Sequence, residues 1–251
     1  MDQEQEEVVN SGRRTGSPRQ GGRDERSGQV TFNGHWTWAS NYSNMLTLEN
    51  PYVAPGWNRD PNTSQHRAVV NVVWRIPIGR GQRFLPQVPA VVDHVLGGWQ
   101  LYWIAFLESG RFFTPSFSGS DPSNTGSSGG LPDRIGEGNL PVSQRTDTRW
   151  FDAKAFAVPT SGHFGNSAVN VLEGQGIYVT DLTMGKTFFI RERYKISLVG
   201  MISDLFNHPH FNNPLTNISA ADPGKFTSTV TFFAAEKSAF RIASVKLRVS
   251  F

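Results

Sequence analysis

The chain of 251 residues contains no cysteine. That removes disulfides, thiolate-held zinc, iron–sulfur clusters and cysteine nucleophiles. Charge is scarce as well: 18% of the residues are Asp, Glu, Lys or Arg, below the roughly 25% of a typical soluble domain. The net charge of +3 is spread out rather than clustered, so no nucleic-acid partner is expected. A run of 18 apolar residues is missing. This excludes a membrane-spanning helix but not a spanning strand, which is apolar on one side only. An apolar leader is missing too, since Asp2, Gln3, Glu4, Gln5, Glu6 and Glu7 follow Met1. The expectation is a cytosolic chain or a true N-terminus that lies elsewhere.

What the sequence does have is turn and strand formers, with 25 Gly, 15 Pro and 12% aromatics. That composition points to an all-β chain with long loops. Residues 1–28 hold almost no apolar side chains and read as a disordered or turn segment. From Gln29 a period of two begins. Val30, Phe32, Gly34, Trp36 and Trp38 alternate with Gln29, Thr31, Asn33, His35 and Thr37, the signature of a two-faced strand. The pattern returns over 66–76, 97–108, 177–189, 194–206 and 239–251, giving about six strands of about 11–13 residues, where globular strands run about 5–6. Twelve residues reach about 40 Å; tilted by about 45° they rise about 28 Å, close to a hydrocarbon core.

The connections are asymmetric. A short turn over 191–193 and a moderate link over 77–96 contrast with long loops over 40–65, 109–176 and 207–238. Short turns at one end and long loops at the other are the layout of an outer-membrane barrel, and place the C-terminus on the periplasmic side. Trp36, Trp38, Trp74, Trp99, Tyr178 and Tyr194 fall near strand ends, where the two membrane interfaces would lie. Six strands leave two unpaired edges, which lipid does not tolerate. The fold class read here is therefore a partial transmembrane β-barrel, residues 29–251 forming the C-terminal portion of a larger one.

Several stretches occur in an order that carries a resemblance. They include Trp36-Thr37-Trp38-Ala39-Ser40, His66-Arg67, Ile76-Pro77-Ile78-Gly79-Arg80-Gly81 and Leu96-Gly97-Gly98-Trp99-Gln100-Leu101. They continue with Arg111-Phe112-Phe113-Thr114-Pro115, Arg149-Trp150-Phe151-Asp152, Gly162-His163-Phe164-Gly165-Asn166, Asp204-Leu205-Phe206-Asn207-His208-Pro209 and the terminal Leu247-Arg248-Val249-Ser250-Phe251. The series resembles the C-terminal part of TonB-dependent outer-membrane receptors, in particular Oar-like proteins that carry a carboxypeptidase-regulatory-like domain. The resemblance implies outer-membrane localisation, a parent barrel of 22 strands with a plug and a signal peptide, and uptake or binding of a ligand driven indirectly by the TonB system. The implied partners are outer-membrane lipid, the missing N-terminal strands and plug, and the barrel assembly machinery. It also implies that Val245, Leu247, Val249 and Phe251 form a C-terminal assembly signal, although position 249, usually aromatic, is Val here.

Among the polar positions of the alternating strands, Asn71, Arg75, Asp181, Thr183, Lys246 and Arg248 are expected to face the lumen. Asp204 falls on the apolar side of its strand and is expected near the outer rim, bonded to loop backbone. His208-Pro209-His210, with His163 elsewhere, reads as a loop-base turn and not a metal site, and Gly79-Arg80-Gly81 reads as a periplasmic turn that faintly resembles an anion nest. No nucleophile, carboxylate pair or cofactor motif has a defensible spacing, so the expectation is neither an enzyme nor a cofactor protein. The alternative reading is a soluble all-β carbohydrate-binding module with Trp and Tyr platforms.

Overall fold

The computed structural model describes residues 14–15, 19–27, 29–44, 49–50, 53–54, 56–190, 194–230, 232–234, 237–238 and 241–251, with backbone alone for 14–15, 19–27, 232–234 and 237–238. Its centre is one antiparallel sheet of seven strands. In chain order they are β1 Arg19–Ser27, β2 Val30–Trp38, β3 His66–Arg75, β4 Gln100–Glu108, β5 Ile177–Ile190, β6 Tyr194–Ser203 and β7 Ile242–Ser250. Each strand pairs with its neighbours in sequence. Among the described residues the sheet is thus an up-and-down meander that does not close, β1 and β7 each having one partner. Six of its strands are those marked by alternation, trimmed at their ends to 9–10 residues, with β5 at 14.

One expectation is corrected. Within 1–28, read as disordered or turn, Arg19–Ser27 is a strand paired along its whole length with β2, from Arg19↔Trp38 to Ser27↔Val30. Alternation does not mark it because Arg-Gln-Gly-Gly-Arg-Asp-Glu-Arg-Ser has no apolar residue to alternate. The ladder uses backbone groups, which any residue but proline supplies. The remainder of that segment, apart from Arg14–Thr15 paired with Asn41–Tyr42, lies outside the described residues, as does the 191–193 turn.

The register separates two faces. One row runs Phe32, Val72, Trp103, Leu182, Ile202, Ala243, and the next Val30, Trp74, Leu101, Met184, Gly200, Val245. The opposite face carries Asn33, Asn71, Ile104 and Asp181 in one row and Thr31, Val73, Tyr102, Thr183, Met201 and Ser244 in another. The first face is almost wholly apolar, and much of it is exposed: Val245 is 75% and Leu247 68% accessible. A sheet that turns its greasier side outward is built for lipid rather than water.

The long connections form a second layer, a cap beyond the long-loop end. Residues 109–176 fold around Phe113, Phe151, Ala155, Phe156 and Leu172, with Trp150, Val171 and Ile218 against them. Two short pairings brace the layer, Phe112–Phe113 with Leu172–Glu173 and Asp133–Arg134 with Phe156–Ala157. Its aromatic rings meet edge to face, Phe113 with Phe151 at 6.0 Å and Phe151 with Phe156 at 6.3 Å. A 68-residue connection without structure of its own would be anomalous; this one holds Phe151, Leu172, Pro115 and Pro132, all fully buried.

Candidate functional site

All six residues expected to face the lumen stand on one side of the sheet. Asn71 and Asp181 share the Ile104 row; Arg75 is opposite Gln100, which is opposite Gly185; Thr183 pairs across to Tyr102 and Met201. Lys246 is opposite Val199 and Arg248 opposite Ser197, which continues the same side onto β7. Near the short-turn end this side borders an open space. The space, of about 850 Å³, is lined by Gln100, Tyr102, Thr183, Thr187 and Ser197 of this side, and also by Phe189, by Lys186 and Phe188 of the other side, and by Asp93 and His94 of the 76–99 link. Polar and apolar side chains thus share this space, which opens at the edge of the sheet where β4 ends and β5 continues.

The six interface aromatics fall on the opposite, apolar side, and they divide by height. Trp36, Trp38 and Tyr178 lie at the long-loop end; Trp74 and Tyr194, with Trp99 one residue before β4, lie at the short-turn end. Strands of 9–14 residues tilted by about 45° separate these bands by about 21–33 Å, and bands of this kind mark the two headgroup levels of a membrane barrel. At the outer band Trp36 stacks on His66 at 5.7 Å and Tyr178 on Phe206 at 6.2 Å.

Val245, Leu247 and Val249 point with this apolar side, and Phe251, following β7, is 91% accessible. They lie on an edge strand whose outer backbone groups meet no described strand.

Asp204 sits at the long-loop end, directly after β6, buried and at φ +48°. Its backbone N–H donates to Asp181 Oδ1 at 3.0 Å, and its carbonyl accepts from Asn207 N–H at 2.9 Å. The expected carboxylate bond to loop backbone is not made: neither carboxylate oxygen accepts a hydrogen bond among the described residues. The carboxylate acts instead on buried His210 through its charge. Burial lowers the His210 pKa, Asp204 opposes that shift, and His208 adds to it. His208 itself rests edge-on against Tyr178 at 5.7 Å. The His-Pro-His run thus ties the third long loop to the end of the sheet.

The Gly79-Arg80-Gly81 turn does hold an anion, one of the chain's own. Gly79 and Gly81 take φ +126° and +71°, and the Arg80 N–H donates to Asp93 Oδ1 at 2.6 Å. Asp93 lies on the one α-helix of the described residues, α1 Ala90–Leu96, which alternation over 97–108 could not reveal. Lys186 was missed for a related reason. It occupies an apolar-side position of β5 but is buried, donating from Nζ to the carbonyls of His94 at 2.5 Å and Val95 at 3.1 Å. A cation on the last carbonyls of a helix is favourable.

In the cap, the Asp121 carboxylate accepts from the N–H groups of Gly126 at 2.7 Å and Thr125 at 3.2 Å, and these bonds hold its pKa below the usual carboxylate value. A recess of about 350 Å³ lies between Glu49, Asn58, Leu131, Phe164 and Asn166. Among the described residues no group of three His, Asp or Glu side chains is placed to hold a metal ion.

No curated protein matches the chain significantly. The family described as "Outer membrane beta barrel domain" matches residues 21–236, from β1, through every strand of the sheet but β7, to the last long loop. The two aromatic bands, the outward apolar side and the strand lengths agree with that match, and the chain belongs to the outer membrane β-barrel domain family, an outer-membrane protein contributing an open arc of barrel wall.

Proposed function

We propose that the chain forms the C-terminal wall and extracellular loops of a TonB-dependent, Oar-like receptor that takes up or binds a ligand from outside the cell. The observation that supports this reading most is the pairing of a folded cap at the long-loop end with a sheet side that carries Asn71, Arg75, Asp181 and Thr183 together. A wall that only spans lipid needs neither. The cap offers a surface to external ligands, and the sheet side that carries Thr183 and Ser197 faces where a plug would stand. Strands and a plug supplied by other sequence would complete the barrel, and the chain's own part is not catalytic.

The test places a photo-crosslinking residue at Thr183 in the protein as it occurs in outer membranes. Cross-linking to a plug segment that itself cross-links to TonB is the expected outcome. An open lumen, with Thr183 freely reached by polar reagents and no cross-linked product, would remove the transport reading while leaving the barrel in place.

A further inference from the structure

The link between β3 and β4 contains a helix that faces the wrong way for a water-soluble surface. On α1, half-buried Asp93 takes the Arg80 N–H, and the His94 ring, itself exposed, lies 5.5 Å from the Phe188 ring. The other side of α1, formed by Val91, Val92, Val95 and Leu96 at helical spacing, is open, with Val91 78% and Val95 56% accessible. No residue of the helix is buried. Phe84 and Leu85, earlier in the same link, are exposed as well. An amphipathic helix on a soluble protein buries its apolar stripe; here the stripe points away.

The position of α1 explains the inversion. β4 and β5 pair only as far as Gln100↔Gly185, so residues 186–190 have β6 on one side and α1 fills in on the other. The side chains that hold α1 there, Lys186, Phe188 and the indole of Trp99 donating to Val95 O at 3.1 Å, belong to the lipid-facing side of the sheet. The apolar stripe is therefore continuous with that side, at the level of the short-turn aromatic band. Arg80 and Arg83 are exposed nearby, within the same link, where lipid phosphates would meet them.

We propose that the 76–99 link is an interfacial anchor, with α1 lying in the periplasmic leaflet and phospholipid acyl chains covering Val91, Val92, Val95 and Leu96. Such helices seat their apolar side at the headgroup–acyl boundary with cations above it. The proposal rests on the outer-membrane location and not on a transport role, so failure of either leaves the other standing.

Because the chain has no cysteine, one environment-sensitive nitrobenzoxadiazole label can be placed at Val95→Cys, and separately at Val91→Cys in case either variant fails to assemble. Val142→Cys, in the cap, serves as the water-exposed reference. The protein is purified from outer membranes and placed in phosphatidylethanolamine–phosphatidylglycerol vesicles, with and without brominated acyl chains. The expected result is blue-shifted emission at 91 and 95 that brominated lipid quenches, with neither effect at 142. Emission at 91 and 95 matching that at 142 would overturn the proposal. So would a blue shift that brominated lipid leaves unquenched, since a protein surface and not lipid would then be the cover.

Discussion

Single side chains in the cap decide whether the loops hold a shape. Phe151 is almost wholly buried and meets Phe113 and Phe156 edge to face. Phe151→Ala removes that packing and leaves a cavity, a cost of about 3–5 kcal/mol. The expected outcome is rapid protease cleavage within 109–176 while the membrane-embedded strands stay protected. His210 sets a pH dependence on the same layer. Its pKa is lowered in the folded protein, chiefly by burial, so the unfolded loop binds the proton more readily than the folded one. Its contribution to stability is present above the unfolded value near 6.5 and is lost as pH falls through the lowered folded value. Hydrogen exchange over 204–230 is expected to accelerate as pH drops below about 6.5 after correction for intrinsic rates, and His210→Gln is expected to flatten that response.

At the scale of elements, β7 is the piece on which the sheet ends. Val245, Leu247 and Val249 alternate outward and Phe251 follows them. If these residues form the recognised end of the barrel, Phe251→Ala lowers the amount of protein recovered in outer membranes, with the shortfall found as degraded or periplasmic material. Val245→Ala, within the same strand but away from the chain end, is expected to lower recovery less. Immunoblotting of fractionated membranes reads both. The contrast with β1 is instructive. β7 announces itself by alternation, whereas β1 is as fully paired yet has a polar sequence, because backbone pairing leaves no mark on side-chain chemistry.

For the whole molecule the two sides of the sheet make opposite demands one residue apart. Val72 shares the row of Trp103 and Leu182, and Val73 that of Tyr102 and Thr183. Arginine at a lipid-facing midplane position costs about 2–4 kcal/mol. Val72→Arg is therefore expected to lower the urea midpoint of the vesicle-embedded protein substantially, and Val73→Arg to change it little. Equal effects would mean that the two sides are not lipid and lumen. Much of this plan was legible without tertiary structure. The alternation of Trp36, Trp74, Tyr178 and Tyr194 placed both interface bands, and the polar positions Asn71, Thr183 and Arg248 proved to share a side, because a period of two is local and survives in sequence. Asp204 was placed correctly at the outer rim, but its carboxylate's neighbour, His210, could not be read, since their approach depends on how the loop after β6 folds back.

The sequence by itself determined that this chain is built of two-faced strands of membrane length, with short and long connections at opposite ends. Those properties are periodic and compositional, and each residue carries its share of them. Only the tertiary structure decided that residues 109–176 enclose a core, that Asp93 fills the Gly79–Gly81 turn, that Lys186 holds a helix, and that the helix turns its valines outward. Each of these depends on groups far apart in the chain meeting at one place, and the free energy of such meetings resides in the closed three-dimensional arrangement rather than in any run of neighbouring residues.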